Sequence, residues 1–225
     1  MEIIPVIDLK GGIVVHARMG ARDRYRPIET PLARGSDPID VVAGLMALHS
    51  FTTLYVADLD AIIGSGDNRA ALHALRQAFT GLTLWVDGGI ADFEIATAWL
   101  QQDLGHLVLG SETQRDGSLA HHLADNRRVV LSLDFRGDAF QGPLPLLAQS
   151  DAWPRRVIAM TLHRVGSGSG PDFARLATLK ARAGTRDVYA AGGVRNGDDL
   201  RALAQAGIAG ALVATGLHDG RITAA

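Results

Sequence analysis

Ile3-Ile4-Pro5-Val6-Ile7-Asp8-Leu9-Lys10-Gly11-Gly12 has a counterpart in Val129-Val130-Leu131-Ser132-Leu133-Asp134-Phe135-Arg136-Gly137-Asp138. Each is an apolar run that reads as a strand and delivers a carboxylate to a glycine-bearing loop. If the two halves of the chain are copies of one unit, Asp8 and Asp134 face each other across a shared centre. One could then take a proton and the other return it.

Six further runs of the same kind lie around these two: Thr53–Ala57, Thr83–Val86, His106–Leu109, Val157–Met160, Asp187–Ala191 and Gly210–Ala214. With Ile3–Asp8 and Val129–Asp134 they make eight strands. Segments such as Asp67–Phe79, Asp92–Gln102, Pro171–Ala183 and Asn196–Ala206 have helical spacing and open on Asp, Asn or Pro, residues suited to a helix start. Strand and helix alternate eight times without a linker, which fits a single closed TIM (β/α)8 barrel over residues 1–225 better than an open sheet. The run Val86-Asp87-Gly88-Gly89-Ile90 resembles Ala190-Ala191-Gly192-Gly193-Val194, and each leads through a helix to a second loop, at Gly110-Ser111 and Thr215-Gly216. This self-similarity implies two half-barrels related by a pseudo-twofold axis.

The chain has 225 residues, of which 47% are hydrophobic, enough for a continuous core. A net charge of -2 and a pI near 6.4 give no general attraction for nucleic acid or an anionic membrane. Cysteine is absent, which removes disulfides and thiolate chemistry. With no basic leader and no apolar run of bilayer length, a cytoplasmic protein is expected. Two stretches are pared down. Pro143, Pro145 and Pro154 leave room for only a turn or two of helix after Asp134, and about ten residues follow Ala214. Barrel surface left bare near the termini would be covered by a second copy of the chain, giving a homo-oligomer.

Glycine lets a backbone approach a ligand closely, and a loop leading into a helix presents N–H groups to an anion. Gly88, Gly89, Gly110 and Ser111 on one side, with Gly192, Gly193, Thr215 and Gly216 on the other, therefore read as two phosphate sites. A single Gly-Gly pair would indicate only a tight turn; two matched pairs favour a small phosphorylated substrate. Arg18, Arg22, Arg24, Arg26 and Arg34 stand in the long segment after the first strand, as a phosphate clamp or a solvated loop. The run Val165-Gly166-Ser167-Gly168-Ser169-Gly170 reads as a lid or a linker. Asp58 and Asp60 end the second strand, where alternation would turn both toward the mouth, for hydrogen bonding rather than for a metal. His16 and His163 lie near strand ends and, with Thr161, are further candidates to contact substrate. Lys10 is placed for a Schiff base if it is desolvated.

Taken together, Ile-Ile-Pro-x-Ile-Asp-Leu-x-x-Gly, Asp58-Leu59-Asp60, Gly88-Gly89-Ile90, Gly110-Ser111, Leu133-Asp134 and Gly192-Gly193-Val194 resemble the histidine-biosynthesis barrels, the ribotide isomerase and its paralogous cyclase subunit. The resemblance spans nearly the whole chain, and Gly110-Ser111 is nearer the isomerase. It implies a duplicated half-barrel, a substrate with two phosphates and an aldose to ketose rearrangement with no metal or organic cofactor. By position, Asp8 would be the general base and Asp134 its counterpart, with Gly89, Gly110, Ser111, Gly193 and Thr215 around the phosphates.

Four departures accompany the likeness. The isomerase pattern has threonine and then Asp-Gly-Thr after the sixth strand; here Met160 and Val165-Gly166-Ser167 stand there, with Thr161 one residue late. Asp87 replaces the first glycine of a Gly-Gly-Gly run. Ala214-Thr215 replaces Gly-Arg, and His16 stands where arginine or lysine is usual. The resemblance implies an isomerase-like enzyme, metal-free and acting by acid/base transfer on a phosphorylated sugar-type metabolite, and these changes point to its having diverged from histidine biosynthesis. The alternatives are a related enzyme of one-carbon coenzyme biosynthesis, with a Lys10 lyase as one form, and a phosphate-binding barrel without catalysis.

Overall fold

A computed structural model describes residues 1–17, 19–21 and 24–222. Eight parallel strands close on themselves: β1 (Glu2–Lys10), β3 (Thr53–Asp58), β4 (Thr83–Asp87), β5 (His106–Gly110), β6 (Val129–Arg136), β8 (Arg156–Thr161), β9 (Asp187–Ala191) and β10 (Gly210–Val213). Pairing of β10 with β1, from Glu2 opposite Gly210 to Pro5 opposite Val213, completes the TIM (β/α)8 barrel. All eight expected strands are present, most of them one or two residues longer than their apolar runs.

Two strands were not anticipated, β2 (Ile13–Val15) and β7 (Ala139–Gln141). Each folds back antiparallel on the opening strand of its half, and the registers match: Asp8 lies opposite Val15, and Asp134 opposite Gln141. The turns depend on Gly11 and Gly137, both at φ 59°, in the left-handed region that costs glycine little. The half-barrel duplication thus extends to the hairpin after the first strand of each half.

The helices are α1 (Pro38–Leu48), α2 (Leu59–Ile63), α3 (Arg69–Ala78), α4 (Phe93–Gln101), α5 (Ser118–His122), α6 (Leu144–Ala148), α7 (Phe173–Ala183), α8 (Gly197–Gln205) and α9 (Thr215–His218). Asp37, Asp92, Asp172 and Asn196 cap α1, α4, α7 and α8 through side-chain oxygens that accept first-turn N–H groups. As the prolines require, α6 is short, and so is α9. Beyond α9 the chain still packs inward, with Leu217 and Ile222 buried, so the terminal segment fills part of the surface that a full closing helix would cover.

Strand alternation divides the core in two. Outward residues such as Ile7, Leu54, Val86, Leu109 and Leu133 meet the helices, while Ile4, Tyr55, Trp85, Val108, Val130, Ile158, Tyr189 and Leu212 fill the barrel. The inward series on β1 continues from Ile4 through Val6 to Asp8. On β6 it runs Val130, Ser132, Asp134, and on β4 it ends at Asp87. Three carboxylates therefore reach the C-terminal rim by strand parity alone.

Candidate active site

The rim surrounds an open cavity, lined by Asp8, Asp87, Asp134, Tyr55, Glu112 and Arg136 among others. Asp134 is 4% exposed and held from three directions. Ser132 Oγ donates to its Oδ1 at 2.7 Å; the Glu112 N–H donates to Oδ2 at 3.2 Å. Ser111 Oγ accepts the Asp134 N–H at 2.8 Å, and its own proton is shared between Asp134 Oδ2 at 3.0 Å and the Gln141 carbonyl at 2.7 Å. Burial lifts the Asp134 carboxyl to about 7, and the charge of Asp87 adds to the lift, while the Ser132 hydroxyl and the Glu112 N–H pull the other way.

Asp87 stands beside it. Tyr55, 3% exposed, donates its phenol to Asp87 Oδ2 at 3.3 Å, and the Gly89 N–H donates to Asp87 Oδ1 at 3.1 Å. Burial first, and then the charges of Asp87, Asp134 and Asp8, hold the Tyr55 phenol protonated well above its usual range. A Cβ on Gly110 would sit 3.0 Å from Asp87 Oδ2 and 3.6 Å from Asp134 Oδ2. Glycine is needed there for room, since its φ of -72° is open to any residue.

Asp8, half-buried, lines the same cavity from β1 and also borders a smaller one with His16, Thr215 and His218. His218 is kept neutral, its pKa lowered to about 4 by burial first and by His16 beside it. The acid/base pair expected from the duplicated segments is thus brought to one cavity.

Other expected residues are placed elsewhere. Asp58 has outward parity, and Asp60 falls in α2, so alternation does not turn both to the mouth. Asp58 accepts from the Ala61 N–H and from Asn68; Asp60 accepts the Gly11 N–H at 2.6 Å and Asn68 Nδ2 at 2.9 Å. Neither lines the cavity; together they hold the β1–β2 turn against α2. Thr161, 2% exposed, also faces outward, leaving Met160 on the cavity wall. His163 Nδ1 accepts the Gly137 N–H at 3.0 Å, bracing the β6–β7 turn. Lys10 lies at the hairpin end, outside the cavity lining.

The glycine loops are unequal. Gly192, Gly193 and Thr215 line the cavity, whereas Gly88, Gly89, Gly110 and Ser111 do not. Gly216 packs under Ile222. Strand register places Asp87 opposite Val108 and Ala191 opposite Leu212, so Ser111 corresponds to Thr215, one residue from the Ser111–Gly216 match that the sequence comparison gives. The glycine-rich segment borders the cavity through Val165, Gly166 and Gly168 and is tied to the opposite loop, with the Met19 N–H donating to the Val165 carbonyl at 2.9 Å. Arg24, Arg26 and Arg34 are not among the cavity residues, and Arg18 and Arg22 lie outside the described residues. Two other arginines, Arg136 and Arg221, line it instead. Arg136 occupies in β6 the place of Lys10 in β1, so the repeat itself held that signal. Tyr55 and Glu112 carried none beyond their parity and loop position.

Among the described residues, no group of three or more His, Asp and Glu side chains is arranged to hold a metal ion. No helix among them is long and apolar enough to cross a membrane.

A family model described as "Histidine biosynthesis protein" matches residues 2–223. An uncharacterised protein of Methanocaldococcus jannaschii is 30% identical to this chain, over 98% of the chain and 94% of the relative. A Lactiplantibacillus plantarum protein named 1-(5-phosphoribosyl)-5-((5-phosphoribosylamino)methylideneamino)imidazole-4-carboxamide isomerase is 31% identical, over 99% of the chain and 96% of its own length. A Myxococcus xanthus protein of the same name is 29% identical over all of the chain and 96% of the relative.

Proposed function

The chain belongs to the histidine biosynthesis protein family, and from that premise we propose that it is an isomerase moving a proton between adjacent carbons of a phosphorylated sugar-type metabolite. The observation that carries this reading is Asp134. A buried carboxyl lifted to about 7, in a cavity that a second carboxylate enters from the opposite half-barrel, is half protonated near neutral pH. It can give a proton as readily as take one.

In the proposed reaction Asp8 removes the proton from the carbon beside the substrate carbonyl. The electron pair moves into the new carbon–carbon double bond, and the carbonyl oxygen takes the Asp134 proton, giving an enediol. The second half runs the other way: Asp134 accepts the neighbouring hydroxyl proton, a carbonyl forms there, and Asp8 returns its proton to the former carbonyl carbon. No net proton is gained or lost. Val165 cannot supply an acid from the loop after β8, and the Asp134 carboxyl fills that need from β6. Asp87 and Glu112 at the rim further support a substrate different from that of the histidine-pathway relatives.

Turnover of aldose phosphates by Asp8→Asn and Asp134→Asn tests the reading. Loss of turnover in both, with unchanged folding and binding of inorganic phosphate, supports it; full activity in Asp8→Asn would falsify it.

A further inference from the structure

We propose that the cavity accepts one anionic group and not two, because the first half-barrel has filled its own anion position with the carboxylates of Asp87 and Asp134, leaving the second half-barrel to bind the ligand's single phosphate. This rests on the reading of the cavity as a sugar-phosphate site. The argument comes from the molecule's internal symmetry. Asp87 and Ala191 occupy the same register in the two halves, each followed by a Gly-Gly pair. In the first half the Asp87 carboxylate takes the Gly89 N–H, and the loop one strand later spends both its donors on a protein carboxylate: Ser111 Oγ and the Glu112 N–H meet Asp134. Ser111 is fully buried. The donors that could receive an anion are already serving two carboxylates that are covalently part of the chain.

The second half lacks that arrangement. Ala191, at the register position of Asp87, has no acceptor atom on its side chain to take the Gly192 or Gly193 N–H. Gly192 and Gly193, at φ 100° and 86°, and the hydroxyl-bearing Thr215 line the cavity, with Arg221 on the same wall. Arg221 reaches Asp219 at 2.8 Å and is 44% exposed, so the charge can turn to a ligand. It gives this loop a cation from the chain's final segment. The chemical class implied is a sugar monophosphate whose far end, toward Asp87, Glu112 and Asp134, carries hydroxyl or amino groups and no second phosphate.

The test is the number of inorganic phosphate ions bound per full-length chain, by calorimetry and phosphorus NMR. The wild type is expected to bind one and Arg221→Ala to bind it about tenfold more weakly. Asp87→Gly frees only the Gly89 N–H and leaves Ser111 Oγ and the Glu112 N–H on Asp134, so the double variant Asp87→Gly/Asp134→Ala is the one expected to bind a second ion. Asp87→Asn, whose amide oxygen still accepts from Gly89, should stay at one. Two ions or none on the wild type, or a single ion on the folded double variant, would overturn the proposal. The wild-type count decides the matter even if the double variant does not fold. Because the readout is stoichiometry, it is independent of whether Asp8 and Asp134 turn substrate over.

Discussion

The inward rungs of β1 are Ile4, Val6 and Asp8, and those of β6 are Val130, Ser132 and Asp134. The rungs correspond, yet the middle one is apolar in one half and a hydroxyl in the other. Ser132, Ser111 and the Glu112 N–H hold Asp134 in a fixed position deep in the wall. At the matching places around Asp8 stand Val6, Thr215 and Gly216, and Asp8 remains half-buried at the junction of two cavities. Duplication supplied two carboxylates; divergence of their neighbours gave them different surroundings. A clamped, desolvated carboxyl is suited to hold its proton, and a more open one to lose it.

The sharpest way to break this comparison is to neutralise each carboxyl in turn. Asp8→Asn should cost on the order of a hundredfold to ten-thousandfold in kcat/KM across the whole pH range, measured on the substrate that the wild type turns over. Asp134→Asn should cost a similar factor at pH 6. The wild-type rate should fall as pH rises through about 7, where Asp134 loses its proton; an alkaline limb that survives in Asp134→Asn would end the assignment of that limb.

Stability offers a second contrast, somewhat smaller. A carboxyl whose folded pKa lies above its unfolded value stabilises the fold fully below the unfolded value, and that contribution is lost as pH rises through the folded one. For Asp134 the window runs from about 4 to about 7. Wild-type unfolding free energy should decline across it by at most about 4 kcal/mol, and Asp134→Asn should flatten the decline in denaturant titrations.

The hairpin turns give a smaller comparison still. Gly11 N–H is taken by the Asp60 carboxylate, and the equivalent Gly137 N–H by the His163 imidazole. A charged acceptor at 2.6 Å should matter more than a neutral one at 3.0 Å. Asp60→Ala is expected to cost about 1–2 kcal/mol and His163→Ala about 0.5–1.5 kcal/mol in chemical denaturation. The reverse order would show that Arg175, which donates to the Gly137 carbonyl at 2.9 Å, makes the second turn depend on its neighbours more than the first does.

The smallest expected effect belongs to Ser132→Ala. Its hydroxyl lowers the Asp134 pKa, so its removal should move the alkaline limb to higher pH, at a cost of about 1 kcal/mol in stability. A limb that stays in place would mean that Ser111 and the Glu112 N–H suffice to set the Asp134 carboxyl.

Much of this was legible in the residues. Eight apolar runs of strand length, separated by capped helical segments, left few folds open, and the copied strands ending in Asp8 and Asp134 marked the rim. The returns β2 and β7 escaped notice because each is three residues long, although Gly11-Gly12 and Gly137-Asp138 are hairpin turn pairs. Asp58 and Thr161 were misplaced for one reason: an outward residue at a strand end looks the same in sequence as an inward one until the parity is anchored. Asp87 was visible as a departure, but an apolar run ending at Val86 could not show that the strand extends one residue further and turns that carboxylate into the barrel.

The sequence by itself determined the barrel, its duplication and the carboxyl on each opening strand, because hydrophobic period and glycine position are local properties that a linear pattern records. Only the tertiary structure decided that burial lifts the Asp134 carboxyl to about 7, that Asp87 takes the Gly89 N–H, and that the glycine pairs face different surroundings. Those properties depend on burial and on donors contributed by residues far apart in the chain, which come together only when the barrel closes.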